Sequence, residues 1–160
     1  MTSSTLDTTG SCHCGAVRFR ISGEVMFNFL CHCKNCSASK GSSPVHLLGV
    51  IGADSLTLDE ESGPTTVRES GAMRFVSCSS CHGPVTQYRD SNEFRVVFPV
   101  TLDLGRGEAG DDHGADRLPD ALAPQAHINY ENRLFDWSDS LPKFKDYPGR
   151  TLLDDAGHAR

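Results

Sequence analysis

The sequence predicts a mostly β domain built around metal-binding cysteines, and three observations support this prediction. Short β-branched or aromatic runs recur along the chain, separated by turn-forming stretches such as GPTT and DSN. No window of about 11–18 residues repeats its apolar residues with helical periodicity, so helix should be scarce. Seven cysteines fall in three tight clusters instead of being scattered.

The strands are predicted in chain order from local patterns. Residues 15–23, GAVRFRISG, alternate apolar and polar side chains, which is typical of a half-buried strand. VMFNFL (25–30) indicates a buried strand that runs into the central cysteine cluster. A further apolar strand is predicted at 45–52, after the polar loop SASKGSS. The remaining short runs predict antiparallel strands at 65–69, 73–77, 84–89 and 94–100.

The chain ends and one internal segment differ in composition from the rest. The small polar residues 1–9 and the polar residues 149–160 are predicted to be tails, which leaves a single domain at 10–148. Residues 105–124 are rich in Gly, Asp, Ala and Pro and predict an acidic loop insertion, with one helical turn around 118–122. The insertion is either without a function or a lid over a site.

The charge and the absence of targeting patterns limit the possible partners. Lys and Arg total 15 against 21 Asp and Glu, and a net charge of -6 argues against nucleic-acid binding. No apolar stretch approaches the ~20 residues of a membrane span. The N-terminus, MTSSTLDTTG, lacks the basic start and apolar core of a secretory signal. We therefore expect a cytoplasmic protein, where an odd number of cysteines favours metal binding over disulfides.

The cysteine spacing indicates two zinc sites. The thiols are Cys12, Cys14, Cys31, Cys33, Cys36, Cys78 and Cys81. A C-x-C pair on a strand presents two thiolates on one side, and a C-x2-C pair wraps a tight turn, as in zinc ribbons. One pair of each kind makes the four-sulfur set of a closed structural zinc, and the central cluster by itself supplies three sulfurs. The four-sulfur set is either the first and last pairs together or a set drawn from the central cluster.

The cysteines have other possible uses than one four-sulfur and one three-sulfur site, the four-plus-three division. The chain could bind one zinc, with the remaining thiols buried as small apolar side chains. An iron–sulfur cluster lacks its typical run of cysteines here. A thioredoxin-like redox pair at Cys78 and Cys81 would need a βαβ context, which the pattern does not show. The four-plus-three division is therefore favoured.

Four segments resemble the glutathione-dependent formaldehyde-activating enzyme family, which includes the centromere protein V group. They are GSCHCGAVRFRISG, CHCKNCSASKGS, RFVSCSSCHGPV and HINYENRLFDWSDSLPKF, and their order matches that family over about residues 10–145. The resemblance implies a mostly β, Mss4-like domain. It also implies a structural zinc on Cys12, Cys14, Cys78 and Cys81, and a catalytic zinc on Cys31, Cys33 and Cys36. The family commonly has Gly after the second cysteine of the C-x2-C pair, where this chain has His82.

The resemblance implies a zinc-dependent carbon–sulfur lyase. Its substrate would be a small thiol adduct, a glutathione conjugate such as S-hydroxymethylglutathione or a larger one, which suggests detoxification. A zinc with three thiolates and an open position can bind a thiol and lower its pKa. The alternative is a non-catalytic zinc-stabilised β module that binds a protein partner. The third central cysteine favours the enzyme, because a structural module needs no open site.

Proton transfer and substrate binding have their own candidates. Histidines have an ordinary pKa near neutrality, and a structural role is the alternative for each of them. The candidates are His32, His46, His82 and His127. Glutathione carries two carboxylates, so nearby cations are candidates for binding it, although each could equally be a solvated surface charge. These cations are Lys34, Lys40, Arg74 and Arg89.

Overall fold

The computed structural model describes residues 4–104 and 118–160, and β-strands dominate it. The strands are β1 (Thr5–Ser11), β2 (Arg18–Cys31), β3 (Val45–Ile51), β4 (Leu56–Leu58), β5 (Thr65–Ser70), β6 (Met73–Cys78), β7 (Pro84–Arg89), β8 (Phe94–Val97), β9 (Ala126–Ile128), β10 (Lys143–Phe144) and β11 (Leu152–Leu153). One short α-helix, α1 (Lys34–Lys40), lies in the described part of the chain. The mostly β prediction is confirmed.

The chain forms two compact units. The first comprises Met1–Met26 and Leu48–Ala123, and the second comprises Phe27–Leu47 and Pro124–Arg160. Strands β2 and β3 each contribute residues to both units.

The first unit is built from antiparallel pairs. Strand β1 pairs with β2, β2 pairs with β4, and β5 to β8 pair in sequence, with β8 also pairing with β3. Val17, Phe19 and Ile21 alternate with exposed neighbours and are fully buried, as the alternation in GAVRFRISG predicts. Burying each such side chain stabilises the fold by about 1.5–3 kcal/mol. This core supports the turns that carry Cys12, Cys14, Cys78 and Cys81.

The second unit adds parallel pairing, which the sequence did not predict. Strand β2 pairs in parallel with β9, and β9 in parallel with β10, while β10 and β11 are antiparallel. Parallel neighbours need a long connection, and the chain between Cys31 and Ala126 supplies one for β2 and β9. The result is a mixed sheet arrangement instead of the purely antiparallel one expected.

Both predicted tails take part in strands. Residues Thr5–Ser11 form β1, and Leu6 is buried, although residues 1–9 were expected to be flexible. Within 149–160, β11 pairs with β10 and buries Leu153. Each segment has few apolar residues to form a pattern, so backbone pairing with a neighbouring strand decides its structure.

The loop insertion falls largely outside the described residues, which exclude 105–117. A 3₁₀ turn at Asp120–Leu122 lies within the helical turn predicted around 118–122.

Strand β2 includes VMFNFL as predicted. The apolar residues there are half-buried or exposed, and the buried side chain is Asn28.

Helix α1 replaces the polar loop predicted after the central cysteines. Its N-cap is Cys33, whose Sγ accepts a hydrogen bond from the backbone N–H of Cys36, and Gly41 ends it in the left-handed conformation. A seven-residue helix that buries only Cys36 shows no apolar repeat, so periodicity could not reveal it. Cys36 therefore lies on a helix and not in a turn.

Candidate metal centres

Four cysteines gather in the first unit. The Sγ atoms of Cys12, Cys14, Cys78 and Cys81 all lie within 4.8 Å of one another. Cys12 and Cys14 lie in the turn between β1 and β2, and not on a strand, where the C-x-C spacing would place both sulfurs on one side. The turn closes through a hydrogen bond from the N–H of Gly15 to the carbonyl of Cys12. This turn, and not the alternation of side chains along a strand, brings the two sulfurs together.

The distances within this group fit a tetrahedral zinc. The Sγ atoms of Cys12 and Cys14 are 3.6 Å apart, and those of Cys14 and Cys78 are 3.9 Å apart. Zinc–sulfur bonds of about 2.3 Å in a tetrahedron require sulfurs ~3.8 Å apart. All four residues are free cysteines and form no disulfide. The group can therefore hold a zinc ion in a closed four-sulfur site.

Backbone N–H groups surround the sulfurs of the four-cysteine group. Val17, Ser80 and Gly83 donate to the sulfurs of Cys12, Cys78 and Cys81, at 3.3, 3.4 and 3.4 Å. The N–H groups of Cys14 and Gly83 lower the pKa of Cys81 to about 6. Such donors stabilise thiolates, which are the metal-binding form of cysteine.

His82 closes the turn of the C-x2-C pair through its backbone. Its φ is 59°, in the left-handed region that glycine adopts most readily, and its N–H donates to the carbonyl of Cys78. The side chain is exposed. The backbone conformation explains why a glycine suits this position.

Three cysteines gather in the second unit. Cys31 ends β2, Cys33 caps α1 and Cys36 lies in the first turn of α1, with all three sulfurs within 4.8 Å. Cys31 and Cys36 are buried, and Cys33 is half-buried. The side-chain amide of Asn129 donates to the sulfur of Cys31 at 3.6 Å. Solvent therefore reaches the cluster in part at Cys33.

The crowding of these three sulfurs favours a bound cation. Hydrogen bonds from Cys31, and then from Cys36, lower the pKa of Cys33 to about 2, whereas the same contacts raise the pKa of Cys31. The contact between Cys31 and Cys33 thus favours the thiolate at Cys33 and the protonated thiol at Cys31. A divalent cation removes this conflict, since it stabilises all three thiolates, and soft sulfur donors suit zinc.

A buried hydrogen-bonded chain adjoins the three-cysteine cluster. His32, between two of the cysteines, places Nε2 2.8 Å from Nδ1 of His127. Nε2 of His127 lies 2.8 Å from a carboxylate oxygen of Asp139. Lys143, which is 3% exposed, donates to the other carboxylate oxygen at 2.8 Å and bonds to Asp155 at 3.1 Å. Burial lowers the pKa of His32 to about 4, so its ring is neutral at pH 7.

The four histidine candidates therefore have different environments. His32 and His127 are brought together, whereas His46 bonds instead to Asn28, with Nε2 and Oδ1 2.5 Å apart. Burial lowers the pKa of His46 to about 4. His82 belongs to the four-cysteine turn of the first unit.

The basic candidates for substrate binding also differ. Arg74 forms ion pairs with Glu69 and Asp90 in the first unit. Lys34, the first residue of α1, is exposed beside Cys33.

Sequence reasoning missed the polar residues that bond to the cysteine cluster directly or adjoin it through His127 and His32. Asn129, Asp139 and Lys143 were not singled out, although all three lie in the segment HINYENRLFDWSDSLPKF. A lysine or aspartate in such a segment is ordinarily taken as a surface charge. The signal that could have indicated them is their place in one of the four segments that resemble the family.

The profile of the family described as glutathione-dependent formaldehyde-activating enzyme matches residues 7–132. The chain belongs to this family. Its fold is therefore of the Mss4 type, and the family is enzymatic, of the carbon–sulfur lyase type. The resemblance inferred from the four sequence segments is confirmed.

The fold is also similar to a solved structure. A Rhodobacter sphaeroides protein, a structural-genomics target, has a TM-score of 0.50 and 21% sequence identity, covering 62% of this chain and 91% of that chain. At this identity the likeness concerns the fold alone. A search of curated proteins gave no match. Within residues 4–104 and 118–160, no helix is long and apolar enough to cross a bilayer.

Proposed function

We propose that this member of the formaldehyde-activating enzyme family is a zinc-dependent carbon–sulfur lyase. Its substrate is a thiol adduct, a glutathione conjugate: S-hydroxymethylglutathione or a larger one. The observation that supports this most directly is the three-cysteine cluster of Cys31, Cys33 and Cys36. Among the described residues no fourth Cys, His, Asp or Glu joins it within 4.8 Å, so one tetrahedral position is left for a substrate sulfur.

The two cysteine groups have separate roles in this proposal. Cys12, Cys14, Cys78 and Cys81 hold a structural zinc, and the three-cysteine cluster holds a catalytic one. A bound catalytic zinc supplies a Lewis acid that lowers the pKa of a substrate thiol and stabilises a departing thiolate.

The residues around the cluster orient its sulfurs and leave one side accessible. Asn129 holds the sulfur of Cys31, and the first turn of α1 sets the distance between Cys33 and Cys36. Cys33 is half-buried, so the substrate thiol reaches the cluster on its side. Lys34 is next to it and exposed, and it provides a cation for a glutathione carboxylate.

The reaction forms or breaks one carbon–sulfur bond. In synthesis, the substrate thiol gives up its proton and the thiolate sulfur attacks the carbonyl carbon of formaldehyde. The carbon–sulfur bond forms as the C=O π bond breaks, and the oxygen takes up a proton to become a hydroxyl. In cleavage, the hydroxyl loses its proton, the carbonyl is restored and the sulfur leaves as a thiolate. Atoms and electrons balance in both directions without an oxidant or a reductant.

Exchange NMR on a mixture of glutathione and formaldehyde tests the proposal. Zinc-loaded wild-type protein should accelerate exchange between free and hydroxymethylated glutathione, and Cys36→Ser should not. The variant keeps the other six cysteines, so it is a control for the fold and for non-specific thiol exchange.

The outcome without acceleration is equally informative. If the protein holds two zinc ions per chain and formaldehyde exchange stays uncatalysed, formaldehyde is excluded as the substrate, and larger glutathione conjugates are assayed next. If none of these is cleaved, the proposal of a lyase fails, and the protein is a zinc-stabilised module that binds a protein partner.

A further inference from the structure

The buried chain from Lys143 to His32 has an assignable direction of hydrogen bonding. The carboxylate of Asp139 has three hydrogen-bond partners: Lys143 and the backbone N–H of Leu141 donate to Oδ1, and Oδ2 lies 2.8 Å from Nε2 of His127. A carboxylate only accepts, so Nε2 of His127 carries the proton. Nδ1 of His127 faces Nε2 of His32 at 2.8 Å, so one of these two nitrogens donates to the other. The arrangement in which Nε2 of His32 donates needs only the one proton already placed on His127.

A second observation agrees with this assignment at the far end of the chain. Nδ1 of His32 is buried and has no hydrogen-bond partner among the described residues. In the Nε2–H form, Nδ1 carries a lone pair and no proton. A buried acceptor without a partner is tolerated better than a buried N–H without one. The aromatic rings of Tyr130 and Trp137 pack edge-on to His32, with centroids 5.1 and 6.4 Å away. The tautomer is thus supported from both ends.

The same strand end ties the chain to the cysteines. The register of β2 and β9 places Cys31 beside Ile128, and the N–H of His32 donates to the carbonyl of Ile128 at 3.0 Å. His127 and Asn129 flank Ile128, one bonding to His32 and the other to the sulfur of Cys31. The backbone between Cys31 and Cys33 is therefore held through the ring between them as well as through the sheet.

We propose that Asp139 is a positioning residue of the three-cysteine site. Through His127 it holds His32 in the Nε2–H form and thereby fixes the segment that presents Cys31 and Cys33. This inference rests on the proposed function in one respect, namely that the cluster holds zinc. Asp139 itself contacts none of the cysteines, so it acts through the two histidines.

Asp139→Asn should reverse the direction of the hydrogen bonds from residue 139 through His127 to His32, because Lys143 decides which way the new amide points. The ammonium group bonds to the carbonyls of Asp139 and Leu141 at 3.2 Å each, so it stays in place and requires an acceptor. The new amide must turn its oxygen towards Lys143 and its NH2 group towards His127. His127 is then forced into the Nδ1–H form, and His32 in turn accepts at Nε2 and carries its proton on Nδ1.

Asp155→Asn is the matched control. It also removes one negative charge, here from the second carboxylate that pairs with Lys143, whose Oδ1 lies 3.1 Å from Nζ. It leaves the bond between Asp139 and His127 intact. A change seen only in Asp139→Asn therefore comes from the hydrogen-bond chain and not from the loss of charge near Lys143.

The experiment reads tautomers and zinc binding on the same samples. Two-bond ¹⁵N–¹H spectra of zinc-loaded protein identify the protonated nitrogen of each histidine, and chelator competition measures the affinity of each zinc. We expect Nε2–H for His32 in the wild type and in Asp155→Asn. In Asp139→Asn we expect Nδ1–H, with the affinity of the three-cysteine zinc lowered about 10–100-fold and the four-cysteine zinc unchanged.

Three results would overturn the inference. One is His32 in the Nδ1–H form in the wild type, a measurement that needs no variant to fold. Another is inversion of the tautomers in Asp139→Asn without weaker zinc binding. The third is equal weakening by Asp155→Asn. A wild type with only one zinc per chain rejects both this inference and the proposed function, whereas two zinc ions without lyase activity reject the proposed function alone.

Discussion

The side-chain amide of Asn129 donates to the sulfur of Cys31 across 3.6 Å, although the two residues are 98 positions apart in the chain. Asn129 adopts the left-handed backbone conformation, with φ of 53°, and begins a 3₁₀ turn directly after β9. The parallel pairing of β9 with β2 brings this turn to the end of β2, where Cys31 lies. The cysteine cluster therefore depends on a strand that is distant in sequence.

Asn129→Gly should weaken zinc binding at the three-cysteine cluster and keep the fold. Glycine accepts the left-handed backbone without strain, so the change removes only the amide that bonds to Cys31. We expect about 10-fold lower affinity for the second zinc, measured by chelator competition. Asn92→Gly is the control, since Asn92 also has a positive φ of 60° but lies in the first unit. Equal zinc affinity in the two variants would contradict the prediction.

Cys36→Ser should remove activity but not stability, whereas Cys81→Ser should lower stability. Cys36→Ser should abolish lyase activity while thermal unfolding stays cooperative, because it removes a ligand of the site with the open position. Cys81→Ser should destabilise the protein, because a closed structural zinc contributes directly to folding. Calorimetry and zinc content measure both effects. Equal loss of stability in the two variants would argue against the four-plus-three division.

His82→Gly should stabilise the protein. A residue with a Cβ in the left-handed region lowers the stability of the fold by about 1–2 kcal/mol. Replacing it with glycine removes this cost, but part of the gain is lost because glycine makes the unfolded chain more flexible. We expect the free energy of unfolding to rise by up to about 1 kcal/mol, measured by urea denaturation of the zinc-loaded protein. His82→Ala keeps the Cβ and should give no gain, and a similar gain from alanine would show that the histidine ring, not the backbone, is unfavourable.

His46 should make the folded state sensitive to acid. Burial lowers its pKa from 6.5 to about 4, so between these values the unfolded chain takes up a proton that the folded protein does not. The free energy of unfolding should therefore fall as the pH decreases from about 6.5 to about 4, and this contribution ends below the folded pKa. In His46→Gln the dependence should be shallower, measured by denaturation at pH 7 and pH 5. Identical slopes would contradict this assignment.

Local patterns predicted those parts of the fold whose residues interact with near neighbours. The alternation of Val17, Phe19 and Ile21 identified a strand because its side chains pack against one core. Where a segment had few apolar residues, as in Thr5–Ser11 and α1, no pattern was present and the structure differed from expectation.

The sequence by itself determined that the protein is mostly β and that its cysteines divide into groups suited to two metal ions, because these properties follow from composition and short spacings. It left open which C-x-C pair joins Cys78 and Cys81, since short spacing carries no information about distant turns. The tertiary structure joined them to Cys12 and Cys14. It also brought Asn129, His127 and Asp139 to the three-cysteine cluster, because parallel pairing of β2 and β9 bridges a long stretch of chain that no local periodicity records.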